Sequence, residues 1–252
     1  MQELKEIREL DQSIIKSDFH TLITEPIDEQ RFPLFDEDGN VIEGVFEITP
    51  MYNKHKLFIG DFMDDTYHGW NQIKDRLMSC SGDDFLECHI SSYGGSTVEG
   101  IELYNIINTK FQNAQAYLNY GYSMGALAFL YFNDRNIYEH SEIMFHNWSG
   151  GFYGKAQDVQ DHLNHATNHL KGFFTKILSK YFTKQEVKKI LKGKEVWIGS
   201  YEMLKRGIAT GIIKEGEFYE AKDYLAKYKK NGKIRKSYKE QVEVDQEAQD
   251  AK

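Results

Sequence analysis

The chain is short of proline, cysteine and positive charge. Its three prolines, Pro26, Pro33 and Pro50, all fall in the first fifty residues. Beyond them no residue lacks a backbone N–H, so regular structure can run uninterrupted. The two cysteines, Cys80 and Cys88, are too few for a disulfide framework. They fit reduced thiols and lead us to expect a cytoplasmic location. Asp and Glu total 39 against 31 Lys and Arg, a net charge of −8. That argues against nucleic acid as the main partner, because phosphate binding needs a basic surface. No apolar run has the length of a membrane span. Met1 to Leu10 is charged throughout with no apolar core, so no signal peptide is expected. No internal repeat is present. What the chain does have is a hydrophobic fraction of 40% and an aromatic fraction of 14%. That is enough for a core in one large or two small domains.

Residues 1–50 read as a polar, irregular N-terminal extension. Within them Phe35 to Ile42 suggests strand–turn–strand around Asp38-Gly39-Asn40. From Lys56 the pattern changes. Lys56-Leu57-Phe58-Ile59 predicts a buried strand, and Trp70, Ile73 and Leu77 one face of a helix over Asp64 to Met78. Phe85 to Ile90 predicts a second strand, and Val98, Ile101, Tyr104 and Ile107 a helical face after it. Ala114 to Leu118 predicts a third strand. Asn136-Ile137-Tyr138 and Glu142 to Phe145 predict two more. A long helix follows over Ala156 to Tyr181, with apolar residues three and four apart. Shorter helices are expected at Gln185 to Leu191, Tyr201 to Arg206 and Phe218 to Lys230. The tail is basic from Lys230, then acidic without apolar content, and reads as disordered. Strands alternating with helices, with glycine at strand ends, give an α/β fold with a largely parallel sheet. The long helix would reach beyond a compact domain, and its apolar stripe needs a partner, so an oligomer is expected.

The chemistry centres on Gly121-Tyr122-Ser123-Met124-Gly125. A serine between glycines, after a strand and before an apolar run, is the pattern of a nucleophile on a sharp strand-to-helix turn. A serine needs a base, and the base an orienting acid. His146 directly follows a strand and is the natural base. Gly94-Gly95 also follows a strand and could supply one oxyanion donor, with the Met124 N–H as the second. His162, His165 and His169 share a helix at metal-compatible spacing, but no fourth ligand is evident. They read as a solvated or interface face, so neither metal nor cofactor is expected. Cys88, in mid-strand, reads as a small buried apolar residue. Phe173, Phe174, Tyr181 and Phe182 read as core or interface.

These residues carry a resemblance. Ser92-Tyr93-Gly94-Gly95-Ser96 resembles the Ser-Pro-Gly-Gly loop of ClpP, the Clp protease proteolytic subunit family. Gly121 to Gly125 resembles that family's Ala-Ser-Met-Gly motif. Ile143-Met144-Phe145-His146 with Gly150-Gly151 resembles its histidine motif, and the helix from Ala156 its handle helix. The four occur in order from about Lys56 to Ile213. By the same resemblance the triad acid lies two residues before Trp197, at Glu195. The family has aspartate there, and glutamate is one methylene longer. Tyr93 stands where the family has proline.

The resemblance implies a ClpP/crotonase-type fold of repeated β-β-α units with a protruding handle helix. It places the peptidase domain at 51–216 and a C-terminal helix and tail at 217–252. It implies a serine endopeptidase with Ser123, His146 and Glu195 as triad, and Gly95 and Met124 N–H groups as oxyanion hole. The partners it implies are polypeptide substrates, further copies in stacked heptameric rings and an AAA+ unfoldase. Related readings are a head-maturation-type protease acting without an unfoldase, of phage or other mobile-element origin, and a catalytically impaired ring subunit. Readings from other classes are an α/β-hydrolase esterase and a crotonase-type acyl-CoA enzyme. The esterase needs the order serine, acid, histidine, and few strands separate Ser123 from the last histidine, His169.

Overall fold

The computed structural model describes residues 13–16, 20–26, 31–35, 41–48, 53–62 and 69–230. The expected turn at 38–40 and the tail after 230 lie outside them. Eleven strands and seven helices are assigned among the described residues. Strands β1 (Ser13–Lys16), β2 (His20–Pro26), β5 (Asn53–Ile59), β6 (Phe85–Ser92), β7 (Asn113–Tyr122), β8 (Asp134–Phe145), β10 (Gly211–Lys214) and β11 (Glu217–Glu220) form one sheet in the order β1-β2-β5-β6-β7-β8-β10-β11. β9 (Val196–Gly199) pairs with β8 outside that path. β5 through β8 run parallel, with β10 parallel to β8. The mixed α/β architecture with a largely parallel centre is the one expected from the chain.

Crossovers between the parallel strands run through α1 (Gly69–Met78), α2 (Thr97–Lys110) and α3 (Met124–Phe129). Alternation in β6 shows what this does. Leu86, Cys88, Ile90 and Ser92 are buried, while Glu87, His89 and Ser91 are partly exposed. One face of the sheet is therefore packed and the other half-open. On the half-open face Phe58 stacks on His89 at 4.9 Å, and His89 on Tyr117 at 5.1 Å. All six residues of α3 are buried, so the helix behind Ser123 is a core element.

The structure departs from the sequence reading in four places. First, the N-terminal stretch contains ordered pairing. β2 lies antiparallel to β5, and β3 (Arg31–Phe35) pairs with β4 (Val41–Ile48) across the expected turn. The polar residues of β2 hid a strand whose Leu22 and Thr24 are buried.

Second, the two strands read over 136–145 are one twelve-residue strand, β8. Its register against β7 jumps between Leu118 and Tyr120. There Ser141 Oγ accepts the Tyr138 N–H at 2.8 Å and donates to the Leu118 carbonyl. The irregularity over residues 138–141, opposite Asn119, breaks the alternation without ending the strand.

Third, α2 buries Glu99, Gly100, Leu103, Ile106 and Ile107, and Val98 is 67% exposed. The expected face of Val98, Ile101, Tyr104 and Ile107 is rotated. The cause is Gly100, where a Cβ would come within 2.0 Å of Met124 Sδ. A glycine that admits a neighbour's side chain sets the contact face, and hydrophobic spacing does not reveal it.

Fourth, the helix expected over Phe218 to Lys230 starts only at Ala221, because Glu217–Glu220 pairs with β10 as β11. The expected long helix is present as α4 (Ala156–Leu178), about 34 Å at 1.5 Å per residue. Only Leu170, Phe174, Ile177 and Leu178 of it are buried, all in the C-terminal half. The N-terminal half stands clear of the core, with Leu163 40% exposed. Two further helices follow, α5 (Lys184–Leu191) and α6 (Ser200–Lys205), before the closing α7 (Ala221–Lys230).

Candidate active site

Three parallel strands end side by side, and each end carries a motif residue. β6 runs into Gly94-Gly95, β7 into Ser123 and β8 into His146. β9 runs antiparallel to β8 with Phe145 opposite Val196, which brings the start of β9 to the same sheet edge. His146 and Glu195 are the residues next beyond that last pair, just outside the ladder. Substrates of open α/β sheets bind at such an edge, outside the carboxyl ends of the strands.

Ser123 has φ 54° and ψ −118°, one of two non-glycine residues with positive φ among those described. Such a conformation persists only where the surroundings over-determine it. Here the Ser123 N–H donates to the Met144 carbonyl at 2.9 Å, locking the turn to β8. The Ser123 carbonyl accepts the Leu127 N–H at 3.2 Å, starting α3. On the other side a Cβ at Gly94 would sit 2.6 Å from Ser123 Cβ and 2.8 Å from the Tyr122 carbonyl. At Gly125 it would meet Ser92 Oγ at 2.9 Å. The serine is thus wedged between backbones that approach only because those residues lack side chains.

The Gly94-Gly95 loop is anchored from behind. Phe62 N–H donates to the Gly94 carbonyl at 2.6 Å, and Ser96 N–H to the Phe62 carbonyl. These two bonds form an isolated parallel bridge centred on Gly95. They use the groups flanking Gly95, so its own N–H points the opposite way, away from Phe62. A Cβ on Gly95 would overlap the Phe62 carbonyl at 1.7 Å, which excludes every other residue. Asp61 Oδ1 accepts the Tyr93 N–H at 2.6 Å, and Ser92 Oγ the Gly94 N–H at 3.1 Å. Asp61 and Phe62 escaped the sequence reading; their spacing from Gly94 shows only once β5 and β6 pair.

Ser123, His146 and Glu195 all reach this edge, though no hydrogen bond joins them among the described residues. Glu195 is exposed, and its Oε2 accepts the Trp197 Nε1–H at 3.1 Å. Trp197 packs edge-on against Tyr122 at 5.0 Å, and Tyr122 donates to Glu142 Oε1 at 2.9 Å. Burial and that bond push the Tyr122 phenol up to about 12, so it remains a neutral donor beside the serine. Tyr93, 65% exposed, lies 5.7 Å from Tyr122.

A separate cluster has metal-ligand types. His55, Cys80 and Asp84 are buried, with ligand atoms within 4.8 Å of one another. Hydrogen bonds already connect them. His55 Nε2 lies 3.2 Å from Asp84 Oδ2 and 3.1 Å from Cys80 Sγ, and Nδ1 lies 3.0 Å from Thr24 Oγ1. Asp84 Oδ1 accepts the Asn53 N–H at 2.8 Å. Burial pulls His55 below its ordinary value, outweighing the pull of Asp84. Burial pushes the Cys80 thiol up to about 11. Burial alone would raise Asp84, but bonds from Asn53, His55 and Ser81 hold it below its ordinary value. The cluster sits toward the start of β5, whereas the serine edge lies at the strand ends, so it staples the fold away from the candidate site. Cys88 is fully buried and its thiol is pushed well up, as a packed apolar residue would be. His165 and His169 stack at 6.1 Å on exposed turns of α4, and His162 stacks on Phe152.

A parallel sheet with crossover helices and a strained serine turn at its carboxyl edge defines an α/β protein with a candidate site there. A family model, Clp protease, matches residues 45–216, more than half of the chain. The chain belongs to the Clp protease family, and its fold is of the ClpP type. Membership brings a peptidase, polypeptide substrates and oligomeric assembly as family properties. No helix among the described residues is long and apolar enough to cross a membrane.

Proposed function

We propose that the protein is a serine endopeptidase acting on unfolded or partner polypeptides inside an oligomeric chamber in the cytoplasm. Ser123 Oγ attacks the peptide carbonyl carbon while His146 takes its proton, and His146 then protonates the leaving amine. Glu195 orients the imidazole and balances its charge. The Gly95 and Met124 N–H groups receive the oxyanion. The observation that carries this reading is the Ser123 turn: positive φ, fixed to Met144 and closed in by Gly94. Hydrogen bonds of a catalytic set are often long or poorly aligned without substrate and tighten when it binds, so the triad is expected to join on substrate binding. Assembly follows the family, with the projecting half of α4 as the ring-to-ring element and heptameric rings as its form. Delivery of substrate by an ATP-driven unfoldase belongs to the same reading.

The test is hydrolysis of a fluorescein-labelled unfolded protein by the purified assembly. Turnover that disappears in Ser123→Ala supports the reading, and equal turnover in Ser123→Ala overturns it. A folded, assembled wild type without turnover would favour a ring subunit that does not cleave.

A further inference from the structure

The geometry points to Trp197 as a positioning residue that clamps Glu195 for His146, an inference that rests on the peptidase reading. Glu195 is one methylene longer than the aspartate implied by the family resemblance, and it is exposed. A free glutamate there would spread over several rotamers, and ordering it carries an entropic cost. The Trp197 indole removes that freedom. Its Nε1–H donates to Oε2 at 3.1 Å, with Glu195 immediately before β9 and Trp197 within it. Oε1 has no hydrogen-bond partner among the described residues and is left to accept from the His146 Nδ1–H.

The clamp is itself fixed. Trp197 lies opposite Met144 in the β8–β9 ladder. Its ring meets Tyr122 at 5.0 Å, and Tyr122 is tied to Glu142. Tyr122 directly precedes Ser123, and Met144 holds the Ser123 N–H. One row across the sheet therefore connects the nucleophile turn to the acid. A phenylalanine at position 197 would keep the ring contact with Tyr122 and lose only the donor. That separates the clamp from packing.

The test is a double-mutant cycle of Trp197→Phe and Glu195→Gln. It is read by the rate constant of Ser123 modification by a fluorophosphonate and by kcat and KM for a fluorogenic peptide. A hydrogen bond to a charged group accounts for about tenfold in rate, so Trp197→Phe should lower the modification rate and kcat by about tenfold. KM should stay within twofold. In the Glu195→Gln background the second substitution should add less than twofold. Trp197→Leu, which also lacks a donor, gives the same readings should the Phe variant fail to fold.

The proposal is overturned if Trp197→Phe matches wild type in modification rate and kcat. It is also overturned if the substitution costs as much in the Glu195→Gln background as in the wild type, which would mean a structural role. A folded, assembled wild type that is not modified at Ser123 overturns the peptidase reading instead, and the clamp with it.

Discussion

Gly94→Ala probes the wedge that holds the serine. The added Cβ would lie 2.6 Å from Ser123 Cβ and 2.8 Å from the Tyr122 carbonyl, at a backbone φ of +108°. Two costs arise. The positive φ alone costs an alanine about 1–2 kcal/mol. The contact with backbone and Cβ cannot be relieved by swinging a flexible side chain, and adds about 1–3 kcal/mol of overpacking. Gly216 separates the two, because it has φ +84° and a Cβ added there would meet nothing within 4 Å. Gly216→Ala should lose about 1–2 kcal/mol in chemical denaturation and keep wild-type activity. Gly94→Ala should lose roughly 1–3 kcal/mol more. The relief available is to push the Ser123 turn outward, and displacement of a reacting group by about 1 Å can cost 10²-fold in rate. The assay is the second-order rate of fluorophosphonate modification on folded samples of both variants. A Gly94→Ala rate within threefold of wild type, with a stability loss equal to that of Gly216→Ala, would refute the argument.

Three further outcomes are expected. Gly100→Ala would bring a Cβ within 2.0 Å of Met124 Sδ, so it should destabilise by about 1–3 kcal/mol. Shortening Met124 to Ala in the same chain should recover part of that loss, and strictly additive losses in denaturation would count against the contact. Glu195→Ala should lower peptide turnover at least tenfold; unchanged turnover would remove Glu195 from the triad. The third concerns pH. His55 has a folded value below its ordinary one, so the unfolded chain binds protons first as pH falls. Stability should therefore drop from roughly pH 7 toward pH 5, and Asp84 should add a further loss below about pH 4. Above pH 7 neither group contributes a slope. Denaturation midpoints of wild type and His55→Gln would check this, and equal slopes in the two would contradict it.

Much of the molecule could be read from residue order because its signals are local. Leu57, Phe58 and Ile59 mark β5, and the spacing of Trp70, Ile73 and Leu77 marks α1. Ser123 and the paired glycines follow strands that their apolar runs announce. Signals that depend on what lies across the sheet were hidden. β2 presents polar residues in sequence, and its pairing with β5 is long-range. The irregularity over residues 138–141 splits β8 into two apparent strands. Gly100 turns α2 toward Met124, which no periodicity can express. At the candidate site, Ser123 and His146 stood out as residues and Glu195 only through the family resemblance; the contacts of Phe62 behind Gly95 and of the Trp197 indole with Glu195 show only in the folded chain.

The most direct measurement is to treat the folded, assembled protein with a fluorophosphonate or β-lactone and locate the modified residue by peptide mass spectrometry. The account predicts a single adduct on Ser123, lost in Ser123→Ala and strongly slowed in His146→Ala. An adduct on another residue, or an unmodified Ser123 in a folded and assembled sample, would contradict it.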